Sequence, residues 1–249
     1  MGNITSKPGS LKTSHFRYCP GCGHSILHRL IAECIDAFHI RESIIGIAPV
    51  GCAVFAYDYF NFDMIEAAHG RPPAVATGLK RMRPGSIVFA YQGDGDLAAI
   101  GTAEIIHAAS RGENISVFFV NNATYGMTGG QMAPTTLTGQ RTTTTPQGRK
   151  SGTEGYPLRI AELLSTIEGV SYIERVSLDS YQGICRAKKA IEKSFRYQMA
   201  GLGFSLIEVL SPCPTDWGLT PLDSLYWMRS EMIRTFPPGI YKDICRDAQ

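Results

Sequence analysis

The sequence has 249 residues, with 24 Lys and Arg against 22 Asp and Glu, so its formal net charge is +2. Hydrophobic residues make up 44% and charged residues 18%, which excludes a disordered chain, and the near-neutral balance gives no support for nucleic acid or an anionic membrane as the main partner. No uncharged run is long enough to span a bilayer, and the first ten residues lack the apolar stretch of a secretory signal. We therefore expect a cytoplasmic protein.

The predicted elements begin after a polar segment, residues 1–15, which we expect to be a flexible N-terminal arm. A helix is predicted next, because apolar residues recur at helical spacing. These residues are Ile26, Leu27, Leu30, Ile31 and Cys34. The short apolar run 43–48 predicts a buried strand that ends before Pro49, and residues 72–83 have the pattern of a second helix.

The centre of the sequence predicts a strand, a helix and a second strand. Residues 86–91 and 115–120 are continuous apolar runs, typical of strands buried on both faces of a parallel sheet, and the apolar segment 97–110 between them predicts a helix. Polar residues follow both strands directly, as Gly93-Asp94-Gly95-Asp96 and as Asn121-Asn122. Ligands bind at the carboxyl ends of strands in open parallel sheets. We predict an α/β fold, with a mostly parallel sheet and helices on both faces.

The remaining sequence is irregular at first. Residues 123–157 are rich in Gly, Thr, Gln and Pro without apolar periodicity, which is typical of a functional loop or lid. Residues 158–200 return to a helical pattern, and residues 204–210 predict a last strand. We therefore expect one ligand-binding domain over residues 16–215, with a C-terminal extension, residues 216–249, that packs on this domain or on a partner subunit.

The string Gly93-Asp94-Gly95-Asp96 is the most informative local motif. Glycines at a strand-to-helix turn let the backbone approach a ligand closely, and the helix N-terminus that follows favours phosphate. A carboxylate there would repel phosphate unless a divalent cation bridged the two groups, and Mg²⁺ prefers oxygen ligands. Asn122 ends the next strand, so its amide oxygen could complete the coordination. Two turns without a bound group are the alternative; the strand–helix–strand context favours a metal-bridged diphosphate.

Gly93-Asp94-Gly95 followed by Asn121-Asn122 resembles the thiamine diphosphate motif, and the match continues through residues 125–131. The segments 69–71 and 76–78 also resemble one family, the 2-oxoacid:ferredoxin oxidoreductases, in their thiamine-binding beta subunit. The resemblance covers about residues 16–215 and implies the thiamine diphosphate-binding fold, in its diphosphate-type domain. The last 35 residues are similar only to a branch that is often assigned to branched-chain 2-oxoacids.

The resemblance implies that Asp94, the Asn122 side chain and the Thr124 carbonyl hold Mg²⁺ on the diphosphate. The cofactor-binding residues that it implies are Gly93, Asp94, Gly95, Asp96, Asn122, Thr124, Gly126, Met127 and Thr128. His69 is expected to be a proton donor or a hydrogen-bond partner, with a structural histidine as the alternative. Arg71 is expected to neutralise the substrate carboxylate or the diphosphate, with a salt-bridged surface arginine as the alternative.

Seven cysteines are an odd number, which argues against a closed disulfide framework. The pair Cys19 and Cys22 alone could belong to a zinc knuckle, a redox dithiol or an iron–sulfur site. Cys52 and Cys213 both follow predicted strands and could reach a common edge of the sheet. The resemblance implies that these four residues hold one [4Fe–4S] cluster, with structural zinc as the rival. The cysteines left as structural are Cys34, Cys185 and Cys245.

The family reaction converts a 2-oxoacid, coenzyme A and oxidised ferredoxin into acyl-coenzyme A, carbon dioxide and reduced ferredoxin. The resemblance implies an alpha subunit that supplies the pyrimidine side of the thiamine site, so that this chain alone would be inactive, with gamma and ferredoxin-like delta subunits as further partners. Apolar Met127 and the absence of a cation at Gly129 favour a branched substrate such as 2-ketoisovalerate. The alternatives are 2-oxoglutarate or pyruvate as substrate, a cluster-free thiamine decarboxylase or synthase fragment, and a non-catalytic iron–sulfur or zinc module.

Overall fold

The computed structural model describes residues 6–247 and contains one seven-stranded sheet. The strands are β1 Ile44–Ala48, β2 Asp63–Glu66, β3 Ile87–Gly93, β4 Ser116–Asn121, β5 Val170–Ser177, β6 Phe204–Leu210 and β7 Gly239–Asp243. Their order in the sheet is β2-β1-β3-β4-β6-β5-β7, and neighbouring strands are parallel except for the antiparallel pair β5 and β7. The predicted mostly parallel α/β sheet is confirmed.

The helices lie between the strands and after β6. They are α1 His24–Phe38, α2 Ala56–Tyr59, α3 Pro72–Met82, α4 Thr102–Ser110, α5 Ser151–Glu154, α6 Ile160–Ser165, α7 Tyr181–Met199, α8 Pro214–Trp217, α9 Pro221–Trp227, α10 Ile233–Thr235 and α11 Ile244–Asp247. The predicted helix over 97–110 is interrupted at Gly101, whose N–H donates to the Asp96 carbonyl at 2.9 Å in a wider, π-helical turn. None of the helices in residues 6–247 is long and apolar enough to cross a membrane.

Helices cover both faces of the sheet, as predicted. Successive strand residues point to opposite faces, so that Phe89 and Tyr91 pack in one apolar core while Val88 and Ala90 pack in the other. The first core includes apolar residues of α1 and α7, and the second includes residues of α3, α4 and α6. This double cover explains why the central strands are continuous apolar runs in the sequence.

The segment 158–200 differs from its prediction, because β5 lies between α6 and α7. All eight residues of β5 are buried, yet the strand contains the charged residues Glu174 and Arg175. Arg175 forms an ion pair with Glu208 on the neighbouring strand, and Glu174 forms one with Arg186. These charges are tolerated inside the fold because they have partners there. The buried strand β5 therefore has the composition of a surface segment, and the sequence pattern did not predict it.

Part of the predicted N-terminal arm contacts the domain, and residues 1–5 lie outside the described part. Ser10 is buried, and its backbone N–H donates to the Asp36 carboxylate at 3.1 Å. Leu11 is also buried and forms an isolated bridge with Phe60. Residues 9–11 are therefore part of the domain rather than of a loose arm, because a polar anchor and an apolar one hold them.

The predicted C-terminal extension packs on the domain over its described length. A small apolar core joins it to the loop after β4 and to β6. The core contains Trp217, Trp227, Met228, Met232 and Phe236 from the extension, and Ala123, Leu137 and Leu210 from the domain. The strand β7 then lies along β5 and forms an edge of the sheet. The extension thus lies beside the turn at the end of β4, where the site described next is built.

Candidate functional site

A cleft of about 630 Å³ opens at the carboxyl ends of β1, β3 and β4. Strands β3 and β4 are parallel neighbours, with Gly93 opposite Val120, so the residues that follow them meet at one edge of the sheet. The nine residues predicted to bind the cofactor all line this cleft, as does His69: they are Gly93, Asp94, Gly95, Asp96, Asn122, Thr124, Gly126, Met127 and Thr128.

Asp94 is buried beside the cleft and accepts hydrogen bonds at both carboxylate oxygens. Its Oδ1 accepts the Gly95 N–H at 2.8 Å, and its Oδ2 accepts the Thr135 hydroxyl at 2.6 Å. Burial raises the pKa of Asp94 to about 6, and the hydrogen bonds from Thr135 and from backbone N–H groups oppose this rise. The ionised form is therefore costly in the ligand-free protein, and a divalent cation in the cleft would supply the opposite charge.

The turn after β4 is held in a strained conformation. Ala123 has a φ of 58°, a left-handed value that costs an alanine about 1–2 kcal/mol. Its N–H donates to the Asn121 side chain at 3.2 Å, and its carbonyl accepts the Thr136 hydroxyl at 2.7 Å. The Thr124 N–H donates to Asn122 Oδ1 at 3.2 Å. This turn brings Asn122 and Thr124 into the cleft that Asp94 lines.

Gly93 and Gly95 of the motif differ in the space around them. A Cβ at Gly95 would lie 2.1 Å from the Tyr125 ring, so glycine is needed for that ring to pack against the turn. A Cβ at Gly93 would meet no atom within 4 Å and would point into open space, although Gly93 lines the cleft. The missing side chain of Gly93 thus leaves room beside Asp94, which fits a bulky anion such as a diphosphate.

Replacing Gly93 by alanine tests whether this space is used. We expect Gly93→Ala to leave the free energy of unfolding within about 0.5 kcal/mol of the wild type, because the new methyl group meets nothing. The affinity for thiamine diphosphate with Mg²⁺ should fall by about tenfold, measured by titration calorimetry. Gly78→Ala is the matched control, since Gly78 lies on α3 in equally open space outside the cleft. Equal affinities of the two variants would show that the cofactor does not occupy this space.

Asp96 lines the cleft and is held by other groups of the protein. It is buried, and its Oδ1 accepts from His69 Nδ1 and from the Gly70 N–H at 2.7 Å. Its Oδ2 accepts from Gln92 Nε2 at 2.6 Å. Both oxygens are engaged by the protein itself, and Oδ1 orients the His69 ring; direct binding of the cofactor by Asp96 stays a prediction. His69 is partly exposed and lines the cleft, with its Nε2 left for a ligand.

Arg71 has its contacts outside the cleft, and its predicted catalytic role stays a prediction. It forms an ion pair with Glu104, and its guanidinium donates to the Ile100 carbonyl at 3.3 Å. Arg71 is not among the described residues that line the cleft. Its contacts match the alternative of a salt-bridged surface arginine.

A second pocket, of about 760 Å³, is lined by the four cysteines predicted to bind the cluster: Cys19, Cys22, Cys52 and Cys213. It adjoins the cleft, and the two share His24, Cys52, Asn122, Gly126 and Met127. All seven cysteines are free thiols. Cys34 is buried elsewhere, with its Sγ 3.8 Å from the Lys188 carbonyl, so the structure separates it from the four. The grouping predicted from the sequence therefore occurs in space.

Three thiols of this pocket, those of Cys22, Cys52 and Cys213, favour their protonated form. Burial, with a smaller contribution from neighbouring cysteines, raises the pKa of Cys22 to about 11 and that of Cys52 to about 12. The pKa of Cys213 is raised as well, first by burial and then by Asp216, whose carboxylate lies 3.1 Å from its Sγ. Among residues 6–247, no group of three or more His, Cys, Asp or Glu side chains is arranged to hold a single metal ion. A [4Fe–4S] cluster takes one thiolate for each of four irons, and a pocket lined by four thiols has the donor set for it.

Several supporting residues were not apparent from the sequence. Thr135 bonds Asp94 from within the long loop, and the Trp217 indole donates to the Asn122 carbonyl at 3.0 Å. Gln92, which orients Asp96, gave one usable signal, because it is a polar residue at the end of an apolar strand. His24 is fully buried, lines both pockets and bonds the Tyr91 hydroxyl at 2.5 Å through Nδ1.

Comparison with known proteins agrees with this geometry. Residues 49–209 match the family model described as thiamine pyrophosphate enzyme, C-terminal TPP binding domain. The chain is 36% identical to the 2-oxoglutarate synthase subunit KorB of Methanocaldococcus jannaschii, over 81% of this chain and 70% of that protein. The chain belongs to the 2-oxoacid:ferredoxin oxidoreductase family of thiamine pyrophosphate enzymes. It is also 50% identical to the ketoisovalerate oxidoreductase subunit VorA of Methanothermobacter thermautotrophicus, over 98% of this chain.

The chain spans about half the length of the ketoisovalerate oxidoreductase subunits that it matches, 51% in one and 49% in another. Its fold is similar to that of the 2-oxoglutarate:ferredoxin oxidoreductase from Magnetococcus marinus, with a TM-score of 0.79 and 24% identity. The similarity covers 96% of this chain and 86% of the solved chain. The predicted fold and the predicted family of this chain are both confirmed.

Proposed function

We propose that this chain is the beta subunit of a 2-oxoacid:ferredoxin oxidoreductase that acts on a branched-chain 2-oxoacid with coenzyme A. The observation that carries the proposal is that a cleft lined by the thiamine diphosphate motif adjoins a pocket lined by four cysteines. A thiamine enzyme without electron transfer has no need of the second pocket. A metal-binding module without catalysis has no need of the first.

The residues that would hold Mg²⁺ and the diphosphate are Asp94, the Asn122 side chain and the Thr124 carbonyl. One carboxylate and two neutral oxygens suit a cation that takes its remaining ligands from phosphate and water. When bound, thiamine diphosphate supplies the electron sink that makes the loss of carbon dioxide from a 2-oxoacid feasible. The open space beside Gly93 and the buried charge of Asp94 support this assignment.

The four cysteines of the second pocket would hold one [4Fe–4S] cluster, which accepts electrons one at a time and passes them to ferredoxin. We prefer the cluster to zinc because a tetrahedral zinc ion needs its four sulfurs within about 2.3 Å of one point. Among residues 6–247, no group of three or more His, Cys, Asp or Glu side chains is placed to hold one metal ion in this way. The residues shared by the two pockets would keep the cluster close to the cofactor.

His69 would hold or move a proton at its Nε2 atom. Its Nδ1 is bonded to Asp96, which fixes the ring orientation and leaves the neutral ring with its lone pair on Nε2. Asp96 is in turn fixed by Gly70 and Gln92, so the imidazole is presented to the cleft from a rigid support.

The partners that we propose are an alpha subunit that supplies the pyrimidine side of the thiamine site, together with gamma and ferredoxin-like delta subunits and ferredoxin itself. Two relatives are named as subunits, and the related solved structure has 2-oxoglutarate, coenzyme A and succinyl-CoA bound. Val50 and Met127, both lining the cleft, are 40% and 44% exposed in this chain, which suits burial against another subunit. The chain alone would be inactive.

A substrate with an uncharged tail is supported by the lining of the cleft. No lysine or arginine in the described part of the chain lines it, whereas a second carboxylate on the substrate would need such a partner. Val50, Ala53 and Met127 supply apolar surface there instead. A branched aliphatic tail, as in 2-ketoisovalerate, matches this lining.

The substrate is tested by steady-state turnover of the full complex with 2-ketoisovalerate and with 2-oxoglutarate. We expect a clear preference in kcat/KM for 2-ketoisovalerate. Met127→Lys should reduce that preference by about tenfold, because it places a cation in the cleft. Met82→Lys is the matched control, since Met82 is 82% exposed at the end of α3 and does not line the cleft. A wild-type preference for 2-oxoglutarate would contradict the proposed substrate.

A further inference from the structure

A buried chain of polar side chains crosses three neighbouring strands, and the reaction proposed above does not use it. It runs from Arg175 on β5 to Glu208 on β6 and to Asn121 at the end of β4. All three residues are fully buried. A buried ion pair is a poor source of stability, because apolar side chains of similar size fill the same space without the cost of removing charges from water. This row of buried polar side chains therefore points to a role beyond stability.

Asn121 is the member of this row of buried polar side chains that lies next to the functional site. Its Nδ2 donates to Glu208 Oε1 at 2.8 Å, and its Oδ1 accepts the Ala123 N–H at 3.2 Å. An asparagine amide can present either its oxygen or its nitrogen to a neighbour. The Glu208 carboxylate is paired with Arg175, and an ionised carboxylate oxygen only accepts. It therefore binds the NH₂ end of the amide and leaves the amide oxygen for Ala123. Glu208 thus decides which end of the amide faces the turn.

The orientation of this amide matters because Ala123 is strained. Its φ of 58° is maintained by hydrogen bonds, and the bond from its N–H is the one that Asn121 supplies. A flipped amide would place a donor against the Ala123 N–H, and the left-handed conformation would lose that support. Asn122 and Thr124, on either side of Ala123, line the cleft and would move with it.

Glu208 itself is fixed from the far side. Arg175 is its direct cross-strand partner, and Arg175 Nε lies 2.9 Å from Glu208 Oε2, an ion-pair distance without the alignment of a hydrogen bond. Arg175 also pairs with Glu162, and its guanidinium lies over the Phe236 ring, 5.3 Å from the ring centroid. Its hydrogen bond to the Tyr241 hydroxyl adds a contact from β7. Side chains of the C-terminal extension therefore hold the pair in place.

We propose that Glu208 is a positioning residue for the turn that carries Asn122 and Thr124. It fixes the Asn121 amide, and this amide holds Ala123 in its left-handed conformation. The importance of the turn as the magnesium and diphosphate site rests on the proposed function. The effect of Glu208 on the turn does not.

The test compares two double variants of the full chain, Arg175→Met/Glu208→Leu and Arg175→Met/Glu208→Gln. Neither leaves an unpaired charge at these two positions, so both should fold. Only the glutamine variant keeps an oxygen that can accept from Asn121. The first measurement is hydrogen exchange at the Ala123 amide in the ligand-free protein. The second is the affinity for thiamine diphosphate with Mg²⁺, followed by the fluorescence of Trp217, whose indole contacts Asn122.

We expect the leucine variant to exchange the Ala123 amide at least tenfold faster than the glutamine variant, and to bind thiamine diphosphate about tenfold more weakly. Equal exchange and equal affinity in the two variants would overturn the proposal, because Glu208 would then be only structural. If the wild type itself fails to bind thiamine diphosphate, the proposed function fails. The exchange experiment still decides the role of Glu208 in that case.

Discussion

Asp94→Asn is expected to abolish magnesium-dependent binding of thiamine diphosphate and, in the absence of ligands, to make the protein more stable. Binding should weaken by about 100-fold or more, because the variant loses the charge that the cation requires. Stability should rise because burial lifts the pKa of Asp94 from 3.8 to about 6, so its ionised form costs about 3 kcal/mol at neutral pH. We expect the free energy of unfolding to increase by about 2 kcal/mol, which corresponds to a rise of about 4–8 °C in Tm.

The pH dependence of this gain has a definite sign. The folded-state pKa is raised, so the penalty acts in the wild type above about pH 6 and disappears as Asp94 is protonated toward pH 3.8. The difference in Tm between variant and wild type should therefore shrink below pH 6. Asp243→Asn is the matched control: Asp243 is equally buried, but Lys193 and Tyr197 bind its ionised form and lower its pKa in spite of burial. That variant should be less stable than the wild type. An Asp94→Asn protein that binds the cofactor normally would contradict the assigned metal ligand.

Cys213→Ser is expected to lose the iron–sulfur cluster and to keep the thiamine site. Cys213 lines the cysteine pocket but not the cleft, so its removal takes one of four cluster ligands without touching Asp94 or Asn122. After anaerobic purification the variant should contain less than half the iron of the wild type and lack its broad visible absorbance. Its affinity for thiamine diphosphate with Mg²⁺ should stay within about twofold.

The matched control for this variant is Cys34→Ser. Cys34 is also buried, but its Sγ lies against the Lys188 carbonyl and outside the cysteine pocket. It should therefore keep its full iron content. Loss of iron in Cys34→Ser, or full iron in Cys213→Ser, would show that the four ligands are assigned wrongly.

The parallel core of the fold could be predicted because its central strands are buried on both faces. The runs that became β1, β3, β4 and β6 are largely apolar and fully or almost fully buried, which is typical of strands covered by helices on both sides. Strand β5 could not be predicted, since Glu174 and Arg175 look like surface charges until their partners on other elements are known. The edge strand β7 lies next to β5 and is only partly buried. It therefore lacks the continuous apolar run that predicts a central strand.

The sequence grouped the residues of the candidate site, but it did not give the contacts that they make inside the fold. The local motifs and the family resemblance together grouped the residues around Asp94 and Asn122, because the ends of β3 and β4 must meet in a parallel sheet. The roles of Asp96 and Arg71 depend on Gln92 and Glu104, which approach them through the fold. Such partners are determined by tertiary packing, and no local sequence motif predicts them.

The central claim is that one chain holds half of a thiamine site beside an iron–sulfur cluster. It is tested most directly by purifying the chain without oxygen and measuring its visible spectrum together with its iron, zinc and thiamine diphosphate content. We predict broad absorbance at about 400 nm, about four irons per chain, and thiamine diphosphate that binds only with Mg²⁺. A colourless protein that contains zinc and no iron would contradict the claim.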